Sequence, residues 1–397
     1  MGMMSIEPPP TGYKASSGLF FPFLDGLRAV AILSVVLHHC FYFSPASVLG
    51  SAGIALLLAG RLGVAVFFVI SGFLMGLIVF DATKPFDWSR YFLRRAGKIL
   101  PPFLISLLLS AALWIYWKGA AGVAVTIMAN LTTVANFIDA PATNMNPVYW
   151  SLFVEIHFYI CLPLLYHALR RVTRYPDIWT CVLFFVIPVS IRAVLYWQGG
   201  PSYRQGFEGF GTAFPLRLDA FAPGLAFAAF YRRRSGITVE TRWLRLAPWV
   251  GLAILAGTYL FYGATEYLEV FSRLHYKALF LELAYLGAGG ATTLLLCLCA
   301  APYSILGRAL GSRHLGFIGL VSYEWYLFHF PPKAFMRGFN SSSHGHLGVY
   351  LLNTVFPTVI SLALSALVYY CISAPILNRI KTRRIPIDAA RPSCIHS

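Results

Sequence analysis

Charge is what this sequence has least of. Only 12% of its 397 residues are Asp, Glu, Lys or Arg, about half the share of a soluble domain. Carboxylates are the scarcer sign, 15 acidic residues against 31 basic ones, for a net charge of +16. Short alternating segments are lacking too. The apolar runs are about 18–25 residues long and mostly unalternating, which excludes the roughly 10-residue strands of an outer-membrane barrel. The seven cysteines (Cys40, Cys161, Cys181, Cys297, Cys299, Cys371 and Cys394) are odd in number. They form no CxxC or Cys/His spacing, so they read as small hydrophobes, with no disulfide framework and no metal site. No strong internal repeat is visible, which counts against a transporter built from inverted halves. No cleavable leader is expected. The first ~18 residues are polar and rich in proline (Pro8-Pro9-Pro10), and the apolar segment that follows is too long for a signal h-region. No soluble domain is expected at either end.

What remains is 58% hydrophobic with a mean hydropathy of +0.68. The fold class is therefore all-α, a polytopic membrane bundle of about ten transmembrane helices. The spans fall at about 22–44, 62–80, 99–117, 149–168, 178–197, 214–231, 246–263, 278–300, 315–336 and 347–373. Ala120–Phe137 is apolar but carries Asn130, Thr132, Thr133 and Asn136, and reads as a re-entrant or surface-lying segment. With both termini inside, Lys and Arg favour the inner loops by about three to one, so N-in and C-in is the expected topology. That rule accounts for the net charge without nucleic-acid binding, and attraction of an anionic cofactor can coexist with it.

Against this apolar background the ionisable residues inside spans stand out, because each is costly there. Arg28 and His39 lie eleven residues apart in the first span, roughly 16 Å along a helix. The expected topology places His39 in the outer half. Glu155 of the fourth span, Arg217 and Asp219 of the sixth, and His329 of the ninth come to a similar height. Mutual ion pairing for packing is one reading of this set. A desolvated histidine beside a carboxylate, as in general-base catalysis, is the other. Before the third span stands Trp88-Ser-Arg90-Tyr-Phe-Leu-Arg94-Arg95-Ala-Gly-Lys98. Its cations suit phosphates or ordinary anchoring to anionic lipid. Ser71 and Gly72, small residues in an aromatic-rich span, allow close approach of another helix or of a thin ligand.

These motifs together carry a resemblance. Leu24-Asp-Gly-Leu-Arg28 with His39, Gly63…Phe67-Phe68-Val-Ile-Ser71-Gly72-Phe73, Arg94-Arg95-Ala-Gly-Lys98-Ile-Leu-Pro101, Trp150-Ser-Leu-Phe-Val-Glu155 with Phe158-Tyr159, Arg217-Leu-Asp219, and Ser322-Tyr323…Tyr326-Leu-Phe-His329-Phe-Pro331 occur in the order of the acyltransferase-3 family. Its members are integral membrane enzymes that O-acylate glycans, lipid-linked sugars and some small natural products. The chain resembles that family over about residues 20–380, between short cytoplasmic tails at 1–19 and 381–397. Two departures stand out. Lys98 replaces the second arginine of the family's Arg-x-x-Arg, keeping the charge without the bidentate fork. Ile156-His157 replaces a more polar pair after the glutamate.

The resemblance implies an O-acetyltransferase in the bacterial inner membrane that takes acetyl from cytosolic acetyl-CoA to a hydroxyl of an extracytoplasmic glycan or lipid-linked sugar. The same chemistry on a small metabolite such as a macrolide, or a lipid-sugar transporter without chemistry, are the alternatives. Arg94, Arg95 and Lys98, with Arg28, would hold the CoA phosphates. His39 rather than His38 would be the general base or the transient acyl carrier, and Glu155 would orient it. Arg217 or Tyr159 would steady the oxyanion or the acceptor, and Ser71, Asp219 and His329 belong to the same substrate region. Membrane lipids are expected partners, metals and nucleic acid are not, and homo-oligomerisation is left open.

Overall fold

The computed structural model describes residues 21, 23–41, 46–137, 145–198, 214–233, 242–267, 289, 305–339 and 347–382. Every element among them is helical. In chain order these are α1 (Phe23–Phe41), α2 (Ala46–Ala59), α3 (Gly63–Val79), α4 (Trp88–Lys118), α5 (Val123–Leu131), α6 (Tyr149–Leu169) and α7 (Pro176–Gln198). After them come α8 (Ala222–Arg233), α9 (Arg242–Tyr267), α10 (Ile305–Leu310), α11 (Arg313–Leu320), α12 (Ser322–Phe328), α13 (Phe330–Phe339), α14 (Leu347–Val368) and α15 (Ala374–Thr382). Among the described residues, five helices are long and apolar enough to cross a membrane: Gly53–Val79, Trp88–Lys118, Tyr149–Leu169, Pro176–Val194 and Thr354–Thr382. The protein is thus a helical integral membrane protein. The expected span at 278–300 lies outside the described residues, apart from Gly289.

α1 is the axis of the bundle. Leu24, Ile32 and Val35 are fully buried, and the helix packs on α3, α10, α11, α12 and α14. Its Asp25 and Arg28 pair at 2.8 Å, one turn apart. Between helices in an apolar phase, close packing is the main adhesive. α3 and α8 show how it is reached: a Cβ on Gly72 would run into the Phe221 carbonyl, and one on Gly224 into the Val69 carbonyl. Beyond that contact, Arg232 of α8 reaches Asp81 at 2.5 Å and the Leu77 carbonyl at 2.9 Å. Burial pushes the Asp81 carboxyl up. The Thr83 hydroxyl and amide, with the charges of Arg232 and Lys84, outweigh that and hold it below the usual aspartate range.

Several segments depart from the expected spans. The stretch 46–59, expected as a loop, forms α2 and packs on α9. α4 starts eleven residues before its expected span, capped by Asp87 accepting from the Arg90 amide at 2.8 Å. The basic turn is therefore helical. The expected helix at 214–231 opens as two 3₁₀ turns, Phe214–Leu216 and Leu218–Ala220, before α8 begins. The expected span at 315–336 is broken at Val321 and at His329. The second break follows from Pro331 and Pro332, which have no N–H to offer the carbonyls four residues back. The Leu327 carbonyl, orphaned by Pro331, accepts instead from the Ser106 hydroxyl and the Asn146 amide, each at 3.1 Å. In the stretch Ala120–Phe137, α5 spans nine residues, about 13 Å, too short to cross a ~30 Å hydrocarbon layer.

Candidate active site

The break at His329 sets that side chain against the end of α1. Nε2 of His329 lies 3.1 Å from Nδ1 of His39, the rings 5.0 Å apart. Nδ1 of His329 lies 3.1 Å from the Trp325 carbonyl and 2.9 Å from that of Tyr326. Carbonyls only accept, so Nδ1 of His329 carries a proton and, in the neutral ring, Nε2 does not. Nε2 must then accept from Nδ1–H of His39, and His39 keeps an unprotonated Nε2. The tautomers are assigned from this network. His329 is completely buried, and its supports are fixed in turn. The Trp325 indole donates to Ser361 at 3.0 Å, and the Tyr326 hydroxyl donates to the Val148 carbonyl at 3.0 Å and meets the Ser151 hydroxyl at 2.7 Å. His38, turned about 100° from His39, donates from Nδ1 to the Leu57 carbonyl at 2.8 Å and so ties α1 to α2.

Tyr326 also lines a cavity with about 830 Å³ of empty space, part of it open to the outside. Arg28 of α1, Ser71 of α3, Arg95 and Lys98 of α4, Glu155 and Tyr159 of α6, and Tyr323 and Tyr326 of α12 line it. Arg95 and Lys98 are three residues apart on a helix and so share a face. Glu155 accepts from the Ser71 hydroxyl at 2.5 Å and from the Tyr159 hydroxyl. The Arg95 guanidinium lies 5.5 Å from the Tyr159 ring, whose backbone carbonyl accepts from the Tyr91 hydroxyl at 3.1 Å. Three cations thus stand in one cavity with a carboxylate already engaged by two hydroxyls.

The expected site residues fall into three groups. Arg28, Ser71, Arg95, Lys98, Glu155 and Tyr159 gather on the cavity. His39 and His329 meet each other, and the hydrogen bond expected of Glu155 toward His39 is the one His329 makes. Arg94, Arg217 and Asp219 are not among the residues lining the cavity. Asp219 is gripped by Arg192 of α7 through two parallel bonds of 3.0 and 2.6 Å, and the same guanidinium reaches the Leu216 carbonyl left open by the 3₁₀ turn. Such a fork is specific in direction and strong when desolvated. Sequence reasoning missed Arg192, although a lone arginine within an apolar span was a sufficient signal. Ser71 and Gly72 divide the two uses foreseen for them: Ser71 faces the cavity and Gly72 faces α8. Among the described residues no group of three or more His, Cys, Asp and Glu side chains could hold a metal ion.

The chain is 24% identical to the O-acetyltransferase OatA of Staphylococcus aureus (strain NCTC 8325 / PS 47) over 369 residues, 88% of this chain and 56% of the relative. It is 26% identical to the putative peptidoglycan O-acetyltransferase YrhL of Bacillus subtilis over 346 residues, 80% of this chain and 49% of the relative. To the peptidoglycan O-acetyltransferase OatA of Listeria monocytogenes it is 24% identical over 336 residues, 79% of this chain and 49% of the relative. The chain thus spans about half the length of the curated relatives it matches. No solved structure matches it. The model of the acyltransferase-3 family, described as an acyltransferase domain, matches residues 21–372, and the chain belongs to that family.

Proposed function

We propose that this protein is a membrane O-acetyltransferase that takes acetyl from acetyl-CoA at the cytoplasmic face and passes it to a hydroxyl of an extracytoplasmic glycan or lipid-linked sugar. The observation that carries the reading is the cavity with Arg28, Arg95 and Lys98 on its walls and Tyr326, the neighbour of the His39–His329 pair, among its lining residues. In this reading about ten spans run with both termini inside, in the bacterial cell membrane. Arg95 and Lys98, with Arg28, hold the CoA phosphates. Lysine at 98 supplies a point charge where a second arginine would supply a fork. The pantetheine arm runs up the cavity past Ser71 and Tyr159, and Glu155 fixes both hydroxyls.

Transfer then needs one base and one path for a proton. The acceptor hydroxyl gives its proton to Nε2 of His39 as its oxygen attacks the thioester carbonyl. The C–S bond breaks, and the proton on His39 passes to the departing thiolate, so acetyl ester and CoA leave with atoms and charge balanced. The His329 lone pair, accepting from Nδ1–H, holds the imidazole in the competent tautomer and stabilises the imidazolium, the part a carboxylate plays in a serine-protease triad. Arg217 and Tyr159 remain candidates for steadying the oxyanion or the acceptor.

The test is transfer of labelled acetyl from acetyl-CoA outside to a glycan acceptor enclosed in inside-out vesicles. His39→Ala should lower the rate by about 10²–10⁴-fold, the usual worth of a positioned base, with insertion and melting temperature retained. Undiminished transfer by a folded His39→Ala protein refutes the assignment.

A further inference from the structure

With His329 holding His39, the Glu155 carboxylate is left with a different task. Both hydroxyls that reach it use one oxygen. Ser71 donates to Oε1 at 2.5 Å, and Tyr159, one turn along α6, donates to the same atom. Among the described residues these are the hydrogen bonds that Glu155 makes. The side chain is partly exposed and lines the cavity, so Oε2 is open to it. A carboxylate that accepts from two donors on one oxygen can only accept with the other. Neighbouring hydroxyls donate inside the protein, Tyr323 to the Ile99 carbonyl at 3.1 Å and Tyr326 to the Val148 carbonyl at 3.0 Å. A ligand in this cavity therefore meets cations at Arg28, Arg95 and Lys98 and an open acceptor at Glu155.

That pattern selects a ligand with an anion at one end and a hydrogen-bond donor further along. A bare phosphate satisfies the cations but is repelled by the carboxylate. The arm of CoA has the required order, phosphates first and then two amide N–H groups. By extended-chain geometry those amides follow the nearest phosphorus at roughly 7 and 12 Å. The cavity wall runs in the same order. The Arg95 guanidinium lies 5.5 Å from the centre of the Tyr159 ring, and the hydroxyl of that ring is on the Glu155 carboxylate. The carboxylate thus stands one ring beyond the cation, level with the stretch of arm that carries the amides.

We propose that Oε2 of Glu155 accepts a hydrogen bond from a pantetheine amide N–H, so that Glu155, fixed by Ser71 and Tyr159, reads the arm of the acyl donor. The proposal rests on the acetyltransferase reading and gives Glu155 a part in donor recognition in place of orienting His39.

The test uses the detergent-solubilised full chain and three donors: acetyl-CoA, and two analogues in which one or the other amide N–H of the arm is replaced by an ester oxygen. Dissociation constants and transfer kinetics are measured separately for each. In the wild type one ester analogue should bind about tenfold more weakly than acetyl-CoA, as expected for a hydrogen bond to a charged acceptor, and its identity names the amide. In Glu155→Gln the two hydroxyls keep the side-chain oxygen, which turns the new amide nitrogen to the Oε2 position. Donor then faces donor, so acetyl-CoA should bind about tenfold more weakly and its advantage over that analogue should vanish. Equal binding of all three donors by the wild type overturns the proposal without recourse to any variant. So does an undiminished amide preference in Glu155→Gln, whether or not kcat falls, because loss of a general base lowers kcat alone. Amide-dependent binding with no acetyl transfer from any donor leaves the subsite standing and removes the transferase reading.

Discussion

Replacing His329 by alanine tests the histidine pair directly. The substitution removes the acceptor of a 3.1 Å hydrogen bond from His39. A neutral buried hydrogen bond contributes about 1 kcal/mol. An imidazole no longer held in one rotamer and one tautomer regains conformational entropy worth about another 1 kcal/mol. Together these raise the barrier by about 2 kcal/mol, which lowers kcat about 30-fold. KM for acetyl-CoA should stay within about twofold, because His329 is not among the residues lining the cation-bearing cavity. The completely buried ring also packs, so part of any loss could reflect a cavity in the core. A double-mutant cycle separates the two effects. In a His39→Ala background, His329→Ala should cost nothing further in kcat, while its effect on melting temperature persists. The assay is acetyl transfer by purified protein, with melting followed on the same samples. Full kcat in a folded His329→Ala protein, or a 30-fold loss that persists without His39, refutes the tautomer argument.

Arg95→Ala should raise KM roughly tenfold or more for acetyl-CoA, the worth of a charge-assisted contact, and leave acetyl-pantetheine, which lacks the phosphates, unaffected; equal effects on both donors remove the phosphate assignment. Gly72→Ala places a methyl against the Phe221 carbonyl and should destabilise the α3–α8 packing by about 1–3 kcal/mol, read as a lower melting temperature that the equal-sized change Gly257→Ala, whose Cβ meets nothing within 4 Å, does not share. Asp81, with its carboxyl below the usual range, contributes stability above the ordinary aspartate pKa that is lost as pH falls through its lowered folded value. Asp81→Asn should therefore destabilise the fold at neutral pH by on the order of 1 kcal/mol, read as a lower melting temperature, and the gap to the wild type should close in acid; a gap independent of pH contradicts the account of Thr83 and Arg232 holding a charged carboxylate.

The gathering of Arg28, Arg95 and Lys98 on one cavity was legible from motif order and span direction, because a helix fixes which heights its residues reach, whereas Glu155, expected at the height of His39, lines that same cavity. Arg95 and Lys98 share a helix face by spacing alone. Where periodicity failed, backbone chemistry had won. Pro331 and Pro332 break a segment whose composition reads as one continuous span, and the 3₁₀ turns before α8 leave a carbonyl that Arg192 answers. Asp219 and Arg217 looked like partners two residues apart. In the fold Asp219 belongs to a helix 27 positions away in sequence, because a desolvated carboxylate takes the fork that reaches it in plane.

The sequence by itself determined that this is an apolar helical chain with a few costly ionisable groups, and that His39 and His329 stand among them. Both follow from local quantities: hydropathy, spacing, and the expense of charge in hydrocarbon. Which groups touch was decided by tertiary structure alone. His39 meets His329 rather than Glu155 because the proline-driven break turns His329 toward the end of α1, while Ser71 and Tyr159 occupy the Glu155 carboxylate. Hydrogen bonds form over about 3 Å, and no pattern along a chain specifies distances that short between segments 290 residues apart.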